Sequence, residues 1–139
     1  MSLSSNILQF IPQRPPFVMV DTLETCNDEG ASSGFTITNN NIFIENEELK
    51  EPALVENIAQ TCAARIGYIC HQENKPVPVG FIGAVQHLKV NSLPKVGDVL
   101  HTSITIKNQV FNATIVNGQI NRNGENIASC EMRIFIAEV

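Results

Sequence analysis

One helical stripe constrains this chain more than any other feature. Between residues 53 and 72, Val55, Ile58, Ala59, Cys62, Ile66 and Ile69 recur at helical spacing. Pro52 stands just before them, where the first residue of a helix can lack its N–H at no cost. The segment "NKPVP" closes the run. No other segment carries a comparable pattern. A lone amphipathic helix has no helical partner for its apolar face, so strands must cover it.

The rest of the chain supplies those strands. A short helical turn is expected over residues 5–10, with Ser4 or Ser5 as its cap. A strand follows over 17–26, "NDEG" turns the chain, and a second strand covers 31–38. The acidic stretch "ENEELKE" then leads to Pro52. Beyond the helix, residues 79–90 read as a strand interrupted by Gly80 and Gly83. "SLPKVGD" is a loop and "VLHTSITIKNQ" the next strand. "NATIVNGQINR" runs into Asn123-Gly124, a two-residue hairpin signal. In the last strand Ala128, Cys130, Met132, Ile134 and Ile136 face one way, opposite Ser129, Glu131 and Arg133. Two strands, one helix and a four-strand meander predict an α+β domain, a curved antiparallel sheet wrapped around one long central helix. No repeat or linker divides the chain, so residues 1–139 are expected to form a single domain.

Charge and cysteine usage narrow the function. The net charge is -5 and the nine Lys and Arg are scattered, which argues against nucleic acid and anionic membranes. "MSLSSNILQFIPQ" has neither a basic start nor a long apolar stretch, and no run reaches transmembrane length, so a cytoplasmic protein is expected. Cys26, Cys62, Cys70 and Cys130 lie apart without a Cys-x-x-Cys, which speaks against a zinc site or a disulfide scaffold. Cys62 and Cys70 read as small core residues, and no metal is expected.

Few residues remain for chemistry. Glu56 falls on a narrow helical face with Gln60, Ala63 and Gly67. Small neighbours would leave room for a substrate beside its carboxylate. On spacing alone the better explanation is an acid in the first helical turns, favoured by the macrodipole and doing nothing else. His71 belongs to the last turn of the helix, and His87 and His101 sit on strands without a carboxylate at readable spacing. No Gly-x-Ser-x-Gly elbow, P-loop or dinucleotide fingerprint is present. In "IPQRPPF", Arg14 suits a phosphate, an acid such as Asp21, or a solvated role holding the loop. Gln13 can donate and accept hydrogen bonds, but its amide takes no proton near neutral pH.

The blocks "IPQRPPFVMVDTL", "PALVENIAQTCAA", "PVGFIGAVQHLKV" and "PKVGDVL" together resemble the hotdog-fold β-hydroxyacyl-(acyl carrier protein) dehydratases. The likeness is greatest to predicted dehydratases of aryl-polyene and related lipid pathways. The resemblance implies a hotdog domain and a lyase acting on a 3-hydroxyacyl thioester in fatty-acid or polyene lipid biosynthesis. It places the family's catalytic acid on Glu56 and the histidine of the opening motif on Gln13. It implies that Arg14, Gln60, Ala63, Gly80, Phe81 and Gly83 bind substrate, with backbone N–H groups around 80–83 meeting the thioester carbonyl. The acyl chain would arrive on the phosphopantetheine of an acyl carrier protein, and no other cofactor is implied. The partners implied are a second copy or another hotdog protein, as a dimer or a hexamer built of three dimers.

Because Gln13 cannot act as the base, three activities follow as alternatives. One is a dehydratase in which Glu56 makes both proton transfers while Gln13 orients the thioester or a water. Another is a non-catalytic acyl-thioester-binding subunit paired with an active dehydratase. The third is a hotdog acyl thioesterase using Glu56.

Overall fold

Pro52 lies one residue inside the helix it was expected to open. A computed structural model describes Leu3 and residues 6–137, and in it α1 runs over Glu51–Gln72 with extended Lys50 as its cap. At 1.5 Å per residue the helix is about 33 Å long. It touches every strand of a six-stranded antiparallel sheet. The strands are β1 (Thr22–Cys26), β2 (Gly30–Thr36), β5 (Gly80–Val90), β6 (Val99–Val110), β7 (Ala113–Arg122) and β8 (Glu125–Ile136), in the order β1-β2-β6-β7-β8-β5. A sheet that meets one helix along all its strands must curve around it. This is the hotdog arrangement expected from the sequence.

Local chemistry sets the register. Asn123 and Gly124 both have positive φ, 53° and 77°, as the tight turn between β7 and β8 requires. The inward set on β8 is confirmed, since Ala128, Cys130, Met132 and Ile134 are buried while Arg133 is exposed. Gly118 on β7 lets the helix close in, because a Cβ there would stand 2.6 Å from Cγ2 of Ile58.

Four expectations need correction. Beyond the helix only β6, β7 and β8 form a meander, because β5 pairs with β8 rather than with β6 and lies at the edge opposite β1. The first strand begins at Thr22 rather than at residue 17, because side chains of α1 capture the backbone of the preceding segment. Asn57 Nδ2 donates to the Met19 carbonyl at 2.7 Å, and the Met19 N–H donates to Gln60 Oε1 at 2.7 Å. Those groups are no longer free for a strand ladder. The acidic stretch holds a small hairpin, β3 (Ile44–Glu45) and β4 (Glu48–Leu49), with Asn46 and Glu47 at positive φ in its turn. The opening turn is a 3₁₀ turn over Ile7–Gln9 capped by Asn6, and the expected caps Ser4 and Ser5 lie outside the described residues.

The helix buries more polar side chains than its stripe suggests. Asn57, Gln60 and Thr61 are fully buried, and each is satisfied. Thr61 meets Ser33 at 2.7 Å, and Asn57 Oδ1 accepts from Thr102 at 2.5 Å. Arg65 is buried too, with Nε donating to the Asn27 carbonyl at 3.0 Å and Nη2 to that of Asp28 at 3.3 Å. It thereby ties the helix to the β1–β2 turn. Among the described residues, no helix is long and apolar enough to cross a membrane.

All four cysteines are free thiols, with Cys62 and Cys130 buried and Cys26 and Cys70 partly exposed. Burial favours the neutral thiol and pushes Cys62 up to about 12 and Cys130 up to about 11. Thiolate, the reactive form, is therefore scarce at both sites near neutral pH. Iodoacetamide is expected to label only Cys26 and Cys70 in the native protein and all four after unfolding, as read by peptide mass spectrometry.

Candidate active site

Glu56 reaches a cavity of about 230 Å³ between the helix and one end of the sheet. The helix lines it with Glu56, Ala59, Ala63 and Ile66, residues three or four apart that share one face. Across from them stand Ile134 and Ile136 of β8, with Gly80, Phe81 and Ile82 at the start of β5. Gln13 is the other polar side chain in its lining. One carboxylate and one amide thus face an otherwise apolar chamber.

The opening segment is fixed over this chamber by its own arginine. Arg14 Nη1 donates to the carbonyls of Ile11 at 2.8 Å and Gln13 at 2.7 Å, holding the loop closed while its side chain remains exposed. Pro15-Pro16, a cis bond, carries the chain on to Phe17. Oε1 of Gln13 is buried and has no hydrogen-bond partner. A buried acceptor without a donor is costly, so that oxygen fits a donor arriving in the cavity.

Gln60 stands behind Glu56. Its Nε2 donates to the Phe17 carbonyl at 2.9 Å and to Oε2 of Glu56 at 3.0 Å, while its Oε1 accepts the Met19 N–H. One side chain therefore joins the opening segment to the carboxylate.

The expected site residues divide accordingly. Gln13, Glu56, Ala63, Gly80 and Phe81 line one chamber. Gln60 does not line it, because its amide is fully buried and spent on the backbone and on Glu56. Arg14 does not line it either, and its contacts belong to its own loop. Gly83 is covered by the ring of Phe135 on the other face of the sheet. The cavity wall next to Glu56 is made by Ala59, Ala63 and Ile66, while Gln60 of the expected face contacts the carboxylate without lining the cavity and Gly67 packs under the Phe10 backbone. Ala59 and Ile66 were already visible in the apolar stripe, but nothing in their spacing separated a cavity wall from core. Among the described residues, no group of three or more His, Cys, Asp or Glu could hold a metal ion.

The sequence pattern of the ApeP-like family, described as ApeP dehydratase, matches residues 5–138. The chain belongs to that family. Among solved structures, the dehydratase heterocomplex ApeI:P from Xenorhabdus doucetiae is similar to it with a TM-score of 0.88 at 14% identity, covering 95% of this chain and 91% of the other. A hypothetical thioesterase with coenzyme A from Streptococcus pneumoniae is similar with a TM-score of 0.66 at 13% identity, covering 83% and 84%. The PaaI protein from the phenylacetic acid degradation operon of E. coli follows with 0.63 at 11% identity, covering 81% and 80%. At these identities the structures share the hotdog fold with this ApeP-like chain. Among curated proteins, no sequence matches.

Proposed function

We propose that this ApeP-like protein dehydrates a 3-hydroxyacyl thioester carried on the phosphopantetheine of an acyl carrier protein. The observation that carries the reading is the presence of Glu56 and Gln13 in the lining of one otherwise apolar chamber. The Glu56 carboxylate removes a proton from C2, the C2–H electron pair forms the C2=C3 double bond, and the C3–O bond breaks. The carboxyl group then returns the same proton to the departing hydroxide, which leaves as water. Gln13 takes no proton; its Oε1 accepts the hydrogen of the 3-hydroxyl and aims that group at Glu56. The backbone at Gly80 and Phe81 meets the thioester end.

A second observation favours a partner chain. Strand β5 is an edge of the sheet, and Val79, Phe81, Ile82 and Leu88 beside or along it are all more than a third exposed. A long apolar edge of this kind invites pairing with another strand. The solved ApeI:P structure is described as a heterocomplex, so the partner proposed here is another hotdog chain laid along β5. In this arrangement the partner also shields the mouth of the chamber at Phe81 and Ile82.

Gln13→His tests the site within the purified protein and its partner complex. An imidazole at that position adds a base, and a positioned base contributes about 10²- to 10⁴-fold. The enoyl thioester is expected to form faster in the variant than in the wild type, measured by its ultraviolet absorbance. Release of free thiol from a saturated acyl thioester would instead mark a thioesterase. No turnover by either form alone, with turnover of the partner complex unchanged by Gln13→His, would mark a binding subunit.

A further inference from the structure

The turn between β6 and β7 holds an aromatic ring where local chemistry disfavours one. Phe111 opens that turn with a positive φ of 56°, a conformation that suits glycine or asparagine. A bulky residue is strained there, and nothing in its own chain repays the strain. The Phe111 side chain is fully exposed, and Val110 beside it is exposed as well. Next to the ring lies a hollow of about 300 Å³, walled by Ala113, Ile115 and Phe135. The cross-strand pairs Ala113–Phe135 and Ile115–Arg133 alternate with buried Met132 and Ile134, so the hollow opens on the face turned away from α1. Arg133 completes the lining. Its guanidinium is exposed and makes no hydrogen bond or ion pair among the described residues, acting on Glu131 only through space.

A ring without a pocket thus stands beside a pocket without a ring. Two copies related by a two-fold axis at the hairpin satisfy both, because a patch that holds knob and socket together is self-complementary. Charge agrees with shape, since the face of an aromatic ring is negative and the unpaired guanidinium is positive. We propose that the outer face at the β6–β7 hairpin docks a second copy of this chain, each Phe111 seated in the other copy's hollow against its Arg133. A strand partner along β5 extends the edge of the sheet and leaves this face open, so the two contacts are independent. Phe135 lies between Ile134 and Ile136, which line the chamber, so the docked copy buttresses the chamber wall from behind. The contact does not depend on the elimination reading.

Sedimentation velocity on the purified protein reads the mass directly. Phe111→Asn removes the ring and suits a left-handed turn position, so the fold is retained. The wild type is expected to have twice the mass of this variant, whether or not β5 is also paired. Ile115→Glu fills the hollow with a charge, leaves Phe111 in place, and should halve the mass in the same way. Arg133→Gln should raise the dissociation constant about tenfold, since two ring–cation contacts are lost per pair. Equal masses for the wild type and Phe111→Asn overturn the proposal. So does a halved mass in Phe111→Asn with none in Ile115→Glu, which would seat the ring elsewhere. Flotation of the wild type with phosphatidylglycerol vesicles, lost in Phe111→Asn at unchanged mass, would make lipid the occupant and overturn it. Loss of a co-purifying hotdog chain in Phe111→Asn would do the same in favour of that chain.

Discussion

Glu56→Gln is expected to lower kcat for enoyl formation by about 10³-fold, with KM within a few-fold of wild type. The substitution keeps the size of the side chain and an oxygen that can still accept from Gln60 Nε2. What it removes is the group that carries a proton, and among the described residues no other titratable side chain lines the chamber. A loss of 10³ corresponds to about 4 kcal/mol of transition-state stabilisation. Folding should be unaffected, since Glu56 lies in a half-buried position at the cavity and its helix is anchored elsewhere. Steady-state kinetics with a circular-dichroism melt would separate the two effects. A variant retaining a tenth of wild-type activity would show that Glu56 is not the proton carrier.

Gly67→Ala is expected to have the largest effect on stability. Helix propensity alone favours alanine by about 1 kcal/mol. A Cβ at residue 67, however, would overlap the Phe10 carbonyl group, with the Phe10 Cα only 2.8 Å away. The turn cannot easily withdraw, because Phe10 is 2% exposed and its ring packs edge-on against Tyr68 at 5.4 Å and His71 at 5.6 Å. Overpacking of backbone against backbone costs about 3 kcal/mol. The net loss is about 2 kcal/mol, or roughly 6–8 °C in Tm for a chain of this size. Because Phe10 is three residues from Gln13, the same variant should also loosen the wall of the chamber and lower activity. A raised Tm would mean that propensity outweighs the close approach.

The fold was legible where side-chain periodicity and turn chemistry agree. The stripe from Val55 to Ile69, Pro52 at its start, Asn123-Gly124 and the alternation of β8 led directly to the helix, the hairpin and the inward face. It was not legible where polar residues do structural work in the interior. Asn57, Gln60 and Thr61 count as solvent-facing in any apolar pattern, yet they are fully buried, and Asn57 and Gln60 bind the segment before β1. Their capture of Met19 shortened the first strand, which no pattern within residues 17–21 announces. Glutamates in "ENEELKE" likewise masked the β3–β4 hairpin, since an acidic run shows no apolar alternation.

The site was legible through resemblance more than through spacing. Glu56 and Gln13 were paired by the family pattern, and the geometry sets both on one cavity. Gln60 moved from an expected substrate contact to a position behind the carboxylate, because a long amide can reach either way from the same helical turn. Arg14 moved from the substrate to its own loop. Only the three-dimensional path of residues 11–19 decides both, and that path is set by contacts far away in sequence.

The most direct test is the position of heavy oxygen after reaction in labelled water. A dehydratase runs in both directions, so an enoyl thioester incubated with the protein and its partner is expected to gain the label at the C3 hydroxyl. Glu56→Gln should gain none. Label in a released carboxylate, or no label with the wild-type complex, would contradict the assignment of Glu56 to reversible dehydration.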